Sequence, residues 1–396
     1  MEKTKVKTLV RQIRGVSYKP EDLHNELDDN SVVLLRANNI DEGKINFDDV
    51  VYVDKSKVSD EQYLKYGDIL ICASSGSKNL VGKAASIRFN TECTFGAFCK
   101  VIRPKEGLDE YLSVYFQSPI YRRKISEVAI GININNIRNE HIDELDIPVF
   151  SNDEQASIVK KIHLIQEVIS NRKAELEKLD DLIKARFVEM FGDLADPECS
   201  WNKRKLIEVC VDKDDIKCGP FGTQLSKDEY MESGIAVWEI PQINIAFKSR
   251  PVHFITSEKS EQLKAYTIIP GDIAMSRKGN VGKCAIFPES YPAGIIHSDV
   301  LRIRLNSQVV NPMFMMCQLH FSGAVTRQIE LVSSGAIMAG VNVTKLKQIY
   351  VHIPPIELQN QFADFVRVVD KSKVAVQKTL EQTQTLFDSL MQKYFG

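Results

Sequence analysis

Nothing in this sequence approaches the roughly 20 consecutive apolar residues that a membrane-spanning helix needs, so such a helix is excluded. Residues 1–10 are Lys-rich but have no apolar core, and no secretory signal is expected. Charge of one sign is also scarce: 51 basic and 53 acidic side chains leave a formal net charge of −2 over 396 residues. Any surface that binds phosphate must therefore be local, or shared with another subunit. The eight cysteines (72, 93, 99, 199, 210, 218, 284 and 317) include no Cys-x-x-Cys pair, and no Cys/His cluster has zinc spacing. Reduced thiols and a cytoplasmic location are expected. The seven histidines show no paired spacing.

Sequence signatures of catalysis are missing too. A Walker loop needs Gly, four residues, then Gly-Lys-Ser/Thr. Counting back from Gly82-Lys83 and Gly282-Lys283 puts Ser77 and Arg277 at the first Gly, and Ala84 and Cys284 stand where Ser/Thr is required. There is no Gly-x-Gly-x-x-Gly and no Gly-x-Ser-x-Gly. Asn311-Pro312-Met313-Phe314 lacks the second Pro of the Asn-Pro-Pro-Tyr/Phe loop of amino-group methyltransferases. Asp28-Asp29 and Asp48-Asp49 sit in polar, turn-like stretches and read as solvated loops.

What the chain has instead is self-similarity. Leu176-Glu177, Leu182-Ile183 and Met190-Phe191-Gly192 match Leu380-Glu381, Leu386-Phe387 and Tyr394-Phe395-Gly396 at an offset of 204 (176 to 380, 192 to 396). Gly67-Asp68-Ile69 matches Gly271-Asp272-Ile273, and Arg123 and Ile125 match Arg327 and Ile329, at the same offset. Val81-Gly82-Lys83 matches Val281-Gly282-Lys283 at 200, while Asn136-Ile137 with Asn342-Val343 and Ile147-Pro148 with Ile353-Pro354 match at 206. Matching blocks in one order mean a duplicated unit with loop insertions. Each unit opens with short apolar runs read as strands, such as Ser31–Leu35, 68–72 and 98–102. A short amphipathic helix follows, near 110–128 and 312–331, then a Pro-marked boundary (Pro148; Pro354-Pro355) and a long helix.

In the first long helix, Ile158, Ile162, Ile165, Ile169, Leu176, Leu179, Ile183 and Met190 alternate in steps of 4 and 3, interrupted by Arg172 and Arg186. In the second, Phe362, Val366, Val369, Val376, Leu380, Phe387, Leu390 and Tyr394 share the lattice, interrupted by Lys373 and Thr383. That period predicts a coiled coil. The expected fold class is α+β: two similar strand-rich domains, 1–150 and 199–355, each followed by a helical spacer, 151–198 and 356–396, the two helices packing antiparallel. Such a rod relates two like heads by a pseudo-two-fold axis. Double-stranded DNA, whose backbone has two-fold axes of its own, rewards readers held at a fixed separation.

The repeat also duplicates polar loops. After the first Gly-Asp-Ile strand, 73–83 offers Ser75, Ser77, Lys78, Asn79 and Lys83; its counterpart offers Ser276, Arg277, Lys278, Asn280 and Lys283. Hydroxyls and backbone N–H groups bind phosphate oxygens, Lys and Arg neutralise them, and Asn and Arg read base edges bidentately. One such loop could be a solvated hairpin; two basic copies at equivalent places point to DNA. Further candidates are Arg138 in 131–138, Ser334 in 333–342, and Arg123 and Arg327 on the short helices. The tract 35–40, with Arg36 and Asn38, corresponds to 238–243, with Gln242, and the two differ strongly in polarity, as heads reading different ligands require.

Several segments resemble the specificity subunit of Type I restriction-modification systems. They are Gly-Ala-Phe-Cys at 96–99 running into Val-Ile-Arg-Pro at 101–104, and 136–142 leading to Ile147-Pro148-Val149. Glu154-Gln155, copied as Leu358-Gln359, Trp201 with Leu206, and the Phe-Gly that ends both helices complete the set. The first unit has no opening Trp; Lys7-Thr8-Leu9 is read against Lys205-Leu206. The resemblance implies two target recognition domains, each binding one part of a bipartite asymmetric DNA sequence. It implies spacers that set the gap and dock two methyltransferase subunits, which methylate adenine. S-adenosylmethionine is then expected on those partners, with ATP and Mg²⁺ on restriction subunits, and neither cofactor nor catalysis on this chain. A coiled-coil adaptor, an orphan specificity subunit without a restriction partner, and an enzyme with an unrecognised site stay open as alternatives.

Overall fold

The fold is that of a computed structural model, which describes residues 2–396 except Lys78, 129–134, Pro197 and 334–339. The chain divides into two units, Met1–Ala174 with Gln377–Gly396, and Glu175–Val376.

In unit 1 an antiparallel sheet runs in the order Ala84–Ser86, Ile69–Cys72, Cys99–Pro104, Val10–Arg14. A second runs Cys93–Phe95, Ser31–Leu35, Val51–Asp54, Leu23–His24, its first pair parallel. Ser31–Leu35 and Ile69–Cys72 are buried at every residue, which is why they read as continuous apolar runs rather than alternating ones. Lys3–Lys5 pairs with Asp146–Pro148. Unit 2 repeats this wiring except that the outer two-residue strand of its second sheet lies on the opposite edge. Ile216–Cys218, Val300–Ile303, Ile273–Ser276 and Cys284–Ile286 form one sheet; His253–Ile255, Ile235–Trp238, Gly294–Ile296 and Thr267–Ile268 form the other, again with one parallel pair. Asn202–Lys205 pairs with Tyr350–Ile353.

The Gly-Asp-Ile blocks have a structural cause. Gly67 and Gly271 sit at φ 86° and 90°, which a side chain would strain. The next residue is a buried carboxylate: Asp68 meets Arg103 and Asp272 meets Arg304, both at 2.7 Å. Asp68 also accepts the Lys65 N–H at 2.8 Å, and Asp272 the Ile269 N–H at 2.9 Å.

Two sequence expectations need correction. The single helices near 110–128 and 312–331 are each two: Asp109–Phe116 and Pro119–Val128, and Pro312–Phe321 and Gly323–Ser333. Pro119, which has no N–H to continue a helix, and Gly323, a poor helix former, make the breaks. The matches drawn at offset 206 are displaced by two residues. Ile137 donates to the Ala73 carbonyl as Val341 does to that of Arg277, and Val6 to that of Leu145 as Leu206 does to that of Ile349. Those buried positions hold the offset at 204 and put Lys5-Val6, not Lys7-Thr8-Leu9, opposite Lys205-Leu206.

The long helices are Asn152–Phe191 and Ile356–Phe395, 40 residues each. Within unit 2, Phe187 and Phe191 pack edge-to-face on Phe362 at 5.5 Å, and Asp180 meets Lys373 at 2.5 Å, so the helices of the coil run antiparallel. Within unit 1, Ile158, Ile162, Ile165 and Ile169 share a core with Phe387, Leu390, Met391, Tyr394 and Phe395. Each unit is thus completed by the far half of the other repeat's helix. The heptad seam is as expected. Phe187, Phe191, Met391 and Phe395 lie off it because the helix ends also face a head: Phe191 packs 4.7 Å from Phe314, and Phe395 5.4 Å from Tyr111.

Candidate nucleic-acid interface

In unit 1 a cleft of about 460 Å³ is lined by 16–18, 36–38, Ser74 and 96–99. Each segment leaves the carboxyl end of a strand: Val10–Arg14, Ser31–Leu35, Ile69–Cys72 or Cys93–Phe95. The cleft therefore sits where four strands release the chain, on a rigid frame with loop side chains free to vary. Ser31–Leu35 ends because the Asn39 side chain caps the Arg36 N–H at 2.8 Å and turns the backbone into a single 3-10 turn. Arg36 then reaches Asp49 at 3.0 Å, and the Asn38 amide donates to the same carboxylate at 2.8 Å. One exposed carboxylate thus orients both candidate readers.

The basic loops of the two units share one turn. Gly82 and Gly282 have φ of 81° and 82°. The Lys83 N–H donates to the Leu80 carbonyl and that of Lys283 to the Asn280 carbonyl, at 3.0 and 3.1 Å. Ser77, Asn79, Asn280 and Lys283 are exposed, Ser75 and Lys83 half-buried. In unit 1 the loop is braced by Arg122, which donates to the Val81 and Asn79 carbonyls at 2.5 and 2.8 Å. In unit 2 Arg277 lies 4.8 Å over the Phe221 ring and donates to the Val341 carbonyl at 3.3 Å, while Lys278 pairs with Asp299 at 2.8 Å.

Two candidates must be withdrawn as direct readers. Gln242 is 3% exposed and its side chain accepts the Glu239 N–H at 3.3 Å, which makes it the counterpart of the capping Asn39. Ser276 is fully buried; its N–H bonds the Lys283 carbonyl as that of Cys72 bonds Lys83, so it belongs to the sheet. Arg123, Arg138 and Arg327 are exposed, but Arg123 and Arg138 do not line the unit 1 cleft. Lys78 and Ser334 lie outside the described residues.

Sequence reasoning missed Phe98, Tyr18 and Lys100. Lys100 is 6% exposed and donates to Asn139 Oδ1 at 2.6 Å and the Ile137 carbonyl at 3.4 Å, bracing the segment that follows 129–134. Burial holds its ammonium down to about 8. A lysine among the apolar residues that open the strand, Cys99, Val101 and Ile102, was the available signal.

A family profile described as "Type I restriction modification DNA specificity domain" matches 18–179 and 200–383, once per repeat. This chain belongs to that family. It is 28% identical to the Type I restriction enzyme EcoKI specificity subunit of Escherichia coli (strain K12) and 29% identical to the StySPI specificity subunit of Salmonella potsdam; each match covers 98% of this chain and 87% of the relative. Among solved structures, the S subunit of a Type I restriction-modification system from M. genitalium superposes with a TM-score of 0.56 at 17% identity, over 100% of this chain and 96% of that one. A second, from a structural study of complex assembly in a type I R-M system, gives 0.55 at 17% identity, over 100% and 97%. These likenesses agree with the repeated α+β fold. The specificity chain is a DNA sequence-recognition subunit, and no described helix is long and apolar enough to cross a membrane.

Proposed function

We propose that the chain recognises a bipartite, asymmetric DNA target and performs no chemistry itself. The observation that carries this is one frame bearing two different sets of readers. The equivalents of Arg36, Asn38 and Ala73 in unit 1 are Glu239, Pro241 and Arg277 in unit 2, each following an equivalent strand. Residues 1–150 and 199–355 act as the two target recognition domains. Phosphate contacts from Lys83, Asn280 and Lys283 set register, and groups at the cleft read base edges. The helical segments 151–198 and 356–396 set the gap.

The helices also dock two methyltransferase subunits. Unit 1 exposes Leu164 and Leu386, and unit 2 exposes Val368 and Leu182. These are equivalents at offset 204, and two like apolar places suit two copies of one partner. S-adenosylmethionine, ATP and Mg²⁺ are carried by partner subunits, restriction subunits among them; this rests on the chain's membership of the specificity family. Family membership leaves the adaptor reading without support.

The test is to exchange residues 1–150 for the head of another specificity subunit and map methylated adenines in the host. One half of the target should change. A change in both halves overturns the proposal.

A further inference from the structure

The phenyl ring of Phe98 is 68% exposed at the rim of the unit 1 cleft, beside Arg36, Asn38 and Ser74. It does not hang from a loose loop. The Phe98 carbonyl accepts the Ala73 and Ser74 N–H groups at 2.9 and 3.0 Å, the Gly96 N–H donates to the Leu35 carbonyl at 2.9 Å, and the next residue, Cys99, opens a buried strand. A ring presented so firmly to solvent favours an apolar surface that arrives with a ligand. Its neighbours narrow the choice. A guanidinium and a carboxamide hydrogen-bond to purine edges, which phenyl cannot do; the apolar group a base pair shows in the major groove is the thymine 5-methyl.

We propose that Phe98 is a specificity-determining residue that reads a thymine 5-methyl group in the half-site bound by unit 1, next to the bases read by Arg36 and Asn38. The inference rests on the reading of this cleft as a DNA-binding site. Unit 2 supplies an internal contrast. The position equivalent to Phe98 is Asp299, whose carbonyl accepts the Arg277 N–H and whose carboxylate holds Lys278. In unit 2 the exposed ring of Phe221 is instead covered by Arg277. The thymine contact therefore belongs to the first half-site.

The experiment uses the full chain assembled with its modification subunits. The probes are duplexes carrying the target mapped from methylated adenines, with thymines replaced one at a time by deoxyuridine, which lacks the methyl. Wild type should bind about fourfold more weakly when one particular thymine of the first half-site is replaced, the equivalent of about 0.8 kcal/mol for one buried methyl-sized group. Phe98→Ala should bind the thymine and uracil duplexes equally, at the wild-type uracil level. Phe98→Ala that weakens binding while wild type ignores the uracil exchange makes the ring a stacking group and overturns the inference. So does a first half-site without thymine. Arg36→Ala separates the two levels. If it weakens binding and Phe98→Ala does not, only the thymine contact fails; if neither variant matters, the cleft does not face DNA and the proposed function fails with it.

Discussion

Phe395 follows both heads in the sequence, yet its ring is fully buried in unit 1, 5.4 Å from Tyr111 and 5.6 Å from Tyr115. Phe395→Ala leaves a void between those tyrosines, and a Phe-to-Ala change in a core costs about 3–5 kcal/mol. At about 1.4 kcal/mol per decade, local opening of unit 1 rises roughly a hundredfold to several thousandfold. Hydrogen exchange read by mass spectrometry on the full chain locates the effect. Peptides from 1–174 should lose protection while peptides from 200–355 keep theirs. Phe191→Ala should do the opposite, because Phe191 is 3% exposed and packs on Phe314 and Phe362 at 4.7 and 5.5 Å in unit 2. Loosening of 200–355 by Phe395→Ala, with 1–174 unchanged, refutes the exchange of helix halves.

Asp68→Asn leaves the Arg103 guanidinium facing an uncharged amide at a site where the native carboxylate is 1% exposed; the expected loss is about 3–5 kcal/mol in unit 1, and an unchanged urea midpoint refutes it. Lys100 titrates near 8 in the fold against 10.5 unperturbed, so the unfolded chain holds more protons between those values. Stability should therefore rise with pH from 8 to 10.5, and Lys100→Gln should flatten that rise; equal slopes in denaturation series of both chains count against it. Seven residues inserted after Ala174 and after Val376 keep the heptad and add about 10 Å to each helix, at ~1.5 Å per residue. At ~3.4 Å per base pair the target gap should lengthen by about three base pairs with unaltered half-sites in the methylation map, and altered half-sites would place readers in the helices.

The duplication was legible because its matching blocks are structural necessities: a positive-φ glycine, a buried carboxylate, a coil seam. Register around 137–149 was misread because short dipeptides such as Ile-Pro coincide by composition, while the buried aliphatics that fix it, Leu145 and Ile349 among them, resemble many neighbours. Phe187 and Phe395 escaped the seam because a helix end that serves both a coil and a head buries a wider stripe than a 3.5-residue period describes. At the candidate site, Arg36, Asn38, Arg277 and Lys278 were proposed from polarity and from position after a strand, and of these Arg36 and Asn38 line the unit 1 cleft. Gln242 and Ser276 were mistaken for readers because a polar residue in a turn caps backbone as readily as it binds ligand, and only burial tells the two apart. Phe98 was passed over because 98–102 reads as a strand and its aromatic as core, whereas the strand begins at Cys99.

The swapped helix ends bear on how the protein is made. A ribosome adding about 5–20 residues per second completes residues 1–174 some 10–40 s before the segment from Gln377 onward exists. For that interval the nascent amino-terminal half carries an open apolar trough where Phe387, Met391 and Phe395 will lie. The half translated first is therefore the half closed last, and its trough faces solvent until the carboxyl-terminal tail arrives.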